Sequence, residues 1–124
     1  MPFTVEQLNS IDKRREVEIE TRAGGRRYRT IIWIMVDDGE IFVRSVKGPR
    51  GKWYQRALQD PEVAVRIGGE TIDARAVPAS DPASIERTSE ALRRKYPKGR
   101  SLDSMLQAEV LETTLRLDPT QFRP

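Results

Sequence analysis

The stretch best suited to chemistry is a loop rich in glycine and cationic residues at positions 45–53, SVKGPRGKW. A stretch that predicts a strand precedes this loop, and residues 52–58 have the pattern of a short helix. Glycines let backbone approach a ligand closely, and the first N–H groups of a helix favour an anion. Lys47, Arg50 and Lys52 add positive charge nearby. The loop therefore predicts a phosphate site, although an exposed turn with solubilising cations and a buried Trp53 would explain it equally well.

The composition excludes several kinds of catalyst. The chain contains no cysteine and no histidine. Disulfides, thiolate metal sites and cysteine nucleophiles are therefore excluded, and the usual general base and commonest metal ligand are missing. We expect no metal site. Any redox chemistry should come from a bound cofactor that the protein binds and orients. The sequence does not identify a catalytic residue.

Length and charge limit the architecture and the partners. A chain of 124 residues has room for one core, so we expect a single domain over residues 1–124. The net charge is +3, but 22 lysines and arginines occur in clusters, which favours an anionic partner, either nucleic acid or a phosphorylated small molecule. The sequence lacks a run of about 20 apolar residues and the apolar centre of a signal peptide. We therefore expect a cytoplasmic protein without a membrane partner.

Alternating apolar residues predict about six strands, mostly joined by hairpins. Residues 27–36 are apolar on both sides and predict one long strand at the centre of the sheet, covered on both faces. Asp38-Gly39 is a strong hairpin turn before the next strand. The other predicted strands lie at residues 16–21, 41–43, 63–67, 72–76 and 111–117.

Three further segments have helix signals. Thr4 and Gln7 have the spacing of a capping box. Asp81 and Pro82 begin a second helix, and Ser101 can cap a last short one. The chain is therefore predicted to be mainly β with helices, as a small antiparallel barrel or curled sheet.

The order and spacing of these motifs resemble a known superfamily. Gly25 precedes Trp33 by seven intervening residues, and Asp38-Gly39 and the strand at residues 41–45 follow. Next comes the pattern G-x-x-G-K-W-Y over residues 48–54, and then L-x-x-P-x-V-x-V. Together they resemble the FMN-binding split-barrel superfamily, most closely the branch of deazaflavin-dependent nitroreductases and a small group of stand-alone domains within it. The resemblance covers residues 19–77, and residues 114–119 resemble the last strand of that fold.

The resemblance implies a six-stranded antiparallel split β-barrel, usually a homodimer. It also implies a groove that holds FMN or a deazaflavin coenzyme. The cofactor phosphate would lie on the strand-to-helix loop and on the start of the preceding long strand. These implied phosphate contacts are Ser45, Lys47, Gly48, Gly51, Lys52 and Trp53 in the loop, and Arg27 and Arg29 on the strand.

The chemistry of such a cofactor suggests roles for a few further side chains. Arg44 and Ser45 would hydrogen-bond the polar edge of the ring, and Trp33 or Trp53 would lie against its face. The apolar neighbours of Trp33 favour a core position instead.

Three hypotheses for function remain open. The first is a flavin- or deazaflavin-dependent reductase acting on an unknown small molecule. The second is a cofactor-free split barrel that binds or stores a ligand, which the short glycine segment at residues 23–25 favours. The third is a basic barrel that binds single-stranded nucleic acid through its aromatic and arginine residues. The low net charge and the aromatics within apolar stretches argue against the third.

Overall fold

Seven strands form one curled antiparallel sheet in the computed structural model, which describes residues 2–120. The strands are β1 (Val17–Ala23), β2 (Arg26–Ile32), β3 (Met35–Asp37), β4 (Glu40–Val43), β5 (Glu62–Ile67), β6 (Glu70–Pro78) and β7 (Leu115–Pro119). Their order across the sheet is β2-β1-β5-β6-β7-β4-β3. The two edge strands, β2 and β3, are separated in the chain only by Trp33 and Ile34. The sheet must therefore curl until its edges come within about 11 Å of each other.

Five α-helices and one 3₁₀ turn accompany the sheet in the described residues. The helices are α1 (Val5–Asp12), α2 (Lys52–Gln59), α3 (Pro82–Lys95), α4 (Arg100–Met105) and α5 (Ala108–Leu111), and the 3₁₀ turn is Gly48–Arg50. The capping box predicted at α1 is confirmed, since Thr4 Oγ1 accepts the Gln7 N–H and Gln7 Oε1 accepts the Thr4 N–H. Asp81 caps α3, as predicted.

Two clusters of buried apolar side chains hold these elements together. The larger lies inside the curled sheet and includes Trp53 and Ala57 from α2. The smaller lies under α3, α4 and α5 and contains Phe42 and Leu92. Helix α2 thus plugs the inside of the sheet, and the later helices cover its other side.

The prediction of one central strand over residues 27–36 is wrong. The chain breaks at Trp33 and Ile34, and β2 and β3 lie at opposite edges of the sheet instead of at its centre. Most of β2 is exposed, including Ile31 at 64%. The last strand also begins later than predicted, at Leu115, because Leu111 ends α5.

Tyr96 at the end of α3 fixes the break between β2 and β3. Its hydroxyl donates to the Arg15 carbonyl at 2.7 Å and accepts the Ile34 N–H at 3.1 Å. Lys95 Nζ donates to the Ile34 carbonyl at 2.8 Å, and the Trp33 ring stacks on Tyr96 with 3.8 Å between centroids. Burial raises the pKa of Tyr96 to about 12, so its hydroxyl keeps its proton at neutral pH. The Ile34 N–H and carbonyl, which the break leaves without strand partners, are thus bound by side chains at the end of α3.

Removing the Tyr96 hydroxyl should therefore destabilise the fold. Tyr96→Phe leaves the buried Ile34 N–H without its partner, and we expect a loss of about 1–3 kcal/mol in the free energy of unfolding. Urea denaturation followed by tryptophan fluorescence measures it. The control is Tyr28→Phe, whose hydroxyl has no hydrogen bond within residues 2–120. Equal stability of the two variants would contradict this role of Tyr96.

A cluster of charged side chains joins the β3–β4 hairpin to α3. Asp37 accepts hydrogen bonds from Arg87 Nε and Arg94 Nη2, both at 2.8 Å, and Arg87 Nη1 reaches Glu40 at 2.6 Å. The hydrogen bond from Arg87 holds the pKa of Asp37 below its usual value, against the effect of burial, and Arg94 adds to the lowering. The ionised form of Asp37 is therefore favoured in the folded state.

This lowered pKa predicts a pH-dependent contribution to stability. The contribution is present above the usual pKa of 3.8 and is lost as pH falls through the lower folded value. Asp37→Asn should therefore be less stable than the parent at pH 7, with a difference that narrows as pH falls below about 4. Urea midpoints from pH 3 to pH 7 measure it, with the exposed Asp73→Asn as control. A deficit that stays constant over this range would contradict the linkage.

Candidate functional site

A cleft of about 510 Å³ opens where the chain leaves β4 and enters α2. It is lined by Thr30, Ile31, Ile32, Arg44, Ser45, Val46, Lys47, Arg50, Gly51, Lys52, Trp53, Arg56 and Met105. This lining contains five lysines and arginines, and none of the described carboxylates contributes to it. The structure therefore brings together most of the loop residues that the sequence singled out, in a strongly cationic setting.

The cations at the mouth of the cleft are available to a ligand. Lys47, Arg50 and Lys52 are exposed, and none of them forms an ion pair with any residue in the described part of the chain. Arg56 is more constrained, because its Nε donates to Thr21 Oγ1 at 2.9 Å and its guanidinium lies 4.2 Å from the centre of the Tyr28 ring. An anion in the cleft would meet three free cations and one that is held in place.

The N-terminus of α2 opens into the same cleft. Gly51 occupies the N-cap position and has no side chain to accept a hydrogen bond from the first N–H groups of the helix. These groups carry the positive end of the helix dipole. Backbone donors therefore add to the positive potential made by the lysines and arginines.

Close packing between Ser45 and Gly51 shapes the loop that leads into α2. Ser45 Oγ donates to the Gly48 carbonyl at 2.8 Å, and the Gly48 N–H returns a bond of the same length to the Ser45 carbonyl. Gly48 has a positive φ of 69°, which favours glycine at this position. A Cβ atom on Gly51 would overlap Ser45 Oγ, so this glycine is required by space and not by its dihedral angles.

Gly51→Ala should therefore disturb both the loop and the cleft. The Ser45 hydroxyl would have to move and give up its bond to Gly48, and overpacking of a buried site costs about 1–3 kcal/mol. Thermal unfolding measures this loss. The control is Gly69→Ala, where the added Cβ meets nothing within 4 Å and a change within about 0.5 kcal/mol is expected. A Gly51→Ala protein as stable as the control would show that the packing is looser than described.

Arg44 lies beneath the loop and is only 1% exposed. Its Nε donates to Thr114 Oγ1 at 2.8 Å, its Nη1 to the Met105 carbonyl at 3.3 Å and its Nη2 to the Ile85 carbonyl at 2.8 Å. No carboxylate within residues 2–120 forms an ion pair with it, and burial lowers its pKa to about 10. Arg44 remains charged at neutral pH, but three of its N–H groups are engaged within the protein.

Other predicted site residues lie elsewhere or serve the core. Arg29 and Arg27 approach the buried carboxylate of Glu20 at 3.3 and 4.0 Å, away from the cleft. Gly48 is buried within the loop and does not line the cleft. Trp53 is only 6% exposed and packs in the larger core, with part of its surface on the cleft. Trp33 packs on Tyr96, consistent with the core position that the sequence favours for it.

Sequence reasoning missed several residues of the cleft. Arg56 follows Lys52 by four residues on α2, a spacing that places both on one helix face and could have revealed it. No local signal indicates Met105 or the β2 residues Thr30, Ile31 and Ile32, because tertiary packing alone brings them to the loop.

Two kinds of feature were not found in the described residues. Within residues 2–120, no three acidic side chains cluster closely enough to hold a metal ion. No helix in the same part of the chain combines the length and apolarity that a membrane crossing requires.

Comparison with solved structures shows the same fold in several proteins. A conserved hypothetical protein from Mycobacterium tuberculosis has a TM-score of 0.70 and 16% identity, covering 99% of this chain and 82% of its own. An F420-H2 dependent reductase has a TM-score of 0.66 and 16% identity, with coverages of 85% and 95%. An FAD-binding protein from Mesorhizobium loti has a TM-score of 0.67 and 16% identity, with coverages of 94% and 87%.

These similarities establish the fold. The predicted split-barrel fold, mainly β with helices, is confirmed, with seven strands in place of six because the long strand is broken. A comparison with curated proteins gives no match. A family model matches residues 7–117, and the chain belongs to that family, which is described as an uncharacterized protein conserved in bacteria (DUF2255).

Proposed function

We propose that the protein binds a phosphate-bearing flavin or deazaflavin in the cleft at the start of α2 and acts as an oxidoreductase on a small molecule. One observation carries the proposal: five cations, a helix N-terminus and an apolar rim meet in one cleft that no described carboxylate lines. The fold supports it, because an F420-H2 dependent reductase and an FAD-binding protein share this architecture.

The phosphate end of the ligand would lie on the loop. Lys47, Arg50 and Lys52 supply free charge, and the backbone N–H groups at the start of α2 supply directed donors. Gly51 places no side chain beside these donors, and Ser45 Oγ occupies the space that its Cβ would need. We assign the phosphate contacts to the Lys47 and Lys52 side chains and to the backbone N–H groups of Lys52 and Trp53. Gly51 contributes by leaving the helix start free of a side chain. Gly48 takes no part in this assignment, because its N–H donates to the Ser45 carbonyl and it does not line the cleft.

The ring end would lie on the apolar part of the cleft. Ile31 and Val46 line it and are 64% and 55% exposed, and the buried Ile32 and Met105 lie beside them. A flat ring covering these side chains would remove apolar surface from water. Such a cofactor would supply the hydride, which no amino-acid side chain can donate, while the protein would orient the ring and exclude water.

The remaining predicted contacts receive different assignments. Ser45 would face the polar edge of the ring. Arg44 would face it with the N–H groups that are not used in its three bonds within the protein. Arg27 and Arg29 take no part in this assignment, because both approach Glu20 outside the cleft. We also propose the homodimer that the resemblance implies, since β2 has an unpaired edge within the described residues and exposes Ile31 next to the cleft.

A visible absorption spectrum of the purified protein, followed by titration with FMN and with the deazaflavin coenzyme, tests the proposal. A flavin-type spectrum or saturable binding of either compound supports it. A colourless protein that binds neither compound would refute it and would favour a cofactor-free binding protein. Salt-sensitive binding of single-stranded DNA by such a protein would favour the nucleic-acid hypothesis.

Substitution of the two loop lysines tests the position of the phosphate. We expect Lys47→Ala with Lys52→Ala to raise the Kd for FMN at least about tenfold, because hydrogen bonds to charged groups contribute about 1.5–3 kcal/mol each. Both side chains are exposed, so stability should change by less than about 0.5 kcal/mol per site. Fluorescence titration measures the Kd.

The control for this experiment removes the same charge elsewhere. Lys13→Ala with Lys98→Ala changes two exposed lysines outside the cleft and should leave the Kd within about twofold of the parent. Equal weakening by both pairs would mean that net charge, and not this loop, attracts the phosphate.

A further inference from the structure

Two consecutive threonines lie behind the cationic loop, between α5 and β7. Thr113 and Thr114 are 0% and 1% exposed, and they face Ser45 and Arg44, which are each 1% exposed. Neither threonine lines the cleft. These four residues form a buried polar cluster between the segment that enters the loop and the segment that enters the last strand.

Each threonine hydroxyl both accepts and donates a hydrogen bond. Thr113 Oγ1 accepts the Ser45 backbone N–H at 3.0 Å and donates to the Val110 carbonyl at 2.7 Å. Thr114 Oγ1 accepts from Arg44 Nε at 2.8 Å and donates to the Leu111 carbonyl at 2.7 Å. The hydroxyls therefore connect the end of β4 to the last turn of α5.

This cluster continues the register of the sheet after backbone pairing has stopped. The last paired residues of β4 and β7 are Val43 and Leu115. Moving one step outward on both strands brings Arg44 opposite Thr114, and a second step brings Ser45 opposite Thr113. Beyond these residues, hydrogen bonds to the two threonine side chains replace the backbone hydrogen bonds between the two segments.

Ser45 connects this cluster to the rest of the cationic loop at residues 45–53. Ser45 Oγ bonds the Gly48 carbonyl and packs directly against Gly51, which begins α2. Gly48 in turn lies against Glu109 of α5. A Cβ atom added to Gly48 would be 3.7 Å from Glu109. A shift of Ser45 would therefore displace the backbone next to both glycines.

We propose that Thr113 is a positioning residue for the anion site: its hydroxyl holds Ser45, and Ser45 sets the spacing between the loop and the first N–H groups of α2. The identity of the anion rests on the proposed function, but the positioning itself does not. Valine would fill the same space as Thr113 without accepting the Ser45 N–H. The hydroxyl, and not the bulk of the side chain, is the feature that the loop requires.

Three threonine variants separate positioning from general stability. Thr113→Val removes the hydroxyl, Thr113→Ser keeps it, and Thr88→Val makes the same change at a threonine that is 0% exposed and bonds Ser84 within α3. Amide hydrogen exchange over residues 45–51 without ligand and the Kd for FMN are measured for each. Thermal unfolding gives the accompanying loss of stability.

We expect Thr113→Val to speed exchange of the Ser45 amide at least about tenfold and to raise the Kd for FMN at least about fivefold, because the buried N–H loses its acceptor. Thr113→Ser should restore both values to near the parent. Thr88→Val should lower the melting temperature without changing either loop exchange or the Kd. Should Thr113→Val fail to fold, Thr113→Ala and the parent are compared in the same way.

Two results would overturn the inference. One is loop exchange and FMN affinity in the Thr113 variants equal to those of the parent. The other is a Ser45 amide in the parent that exchanges as fast as the amides of the exposed Val46 and Lys47. If the parent binds no flavin, the proposed function fails, but the exchange comparison still tests the positioning by Thr113.

Discussion

The burial of the Arg44 guanidinium connects the fold to the cleft. A buried charge is costly unless hydrogen bonds compensate it, and here the acceptors come from the Ile85 and Met105 carbonyls and the Thr114 hydroxyl. These acceptors belong to three different parts of the chain, in α3, in α4 and in the segment that leads into the last strand. The cationic loop can therefore take its described shape only when all three segments are in place.

Hydrogen bonds from distant residues also stabilise the break between β2 and β3. The backbone of Ile34 is left without strand partners where β2 and β3 separate, and Tyr96 and Lys95 bind it from the end of α3. Helix α3 thus contributes to both places where the chain departs from regular pairing. Helix α3 therefore does more than cover the smaller apolar cluster, because it also supplies hydrogen-bond partners at both of these places.

The sequence predicted the features that depend on neighbouring residues. The capping box at Thr4, the cap at Asp81 and the turn at Asp38-Gly39 involve contacts within a few positions, and the structure contains them. The loop at residues 45–53 could be identified for the same reason, because its glycines, cations and helix start are contiguous. The resemblance that identified the fold also rested on contiguous motifs.

Long-range packing decided what the sequence could not predict. The break at Ile34 depends on Tyr96, 62 positions away, so an apolar stretch on both sides looked like one central strand. The sequence suggested that Arg44 contacts the cofactor, because it is a cation at a strand end. Its hydrogen-bond partners Ile85, Met105 and Thr114 follow it by 41 to 70 positions, so the sequence did not reveal them. Met105 and Thr113 carry no local signal because distant packing alone brings them to the loop.

The most direct test of the central claim is an amide nuclear magnetic resonance spectrum of the protein titrated with FMN, repeated with the deazaflavin coenzyme. If the cleft at the start of α2 holds the phosphate, saturable shifts should concentrate on the amides of residues 45–53 and on the Trp53 indole. Shifts confined to another region, such as the arginine-rich turn at residues 22–27, would contradict this location of the site. A spectrum unchanged by both compounds would contradict cofactor binding itself.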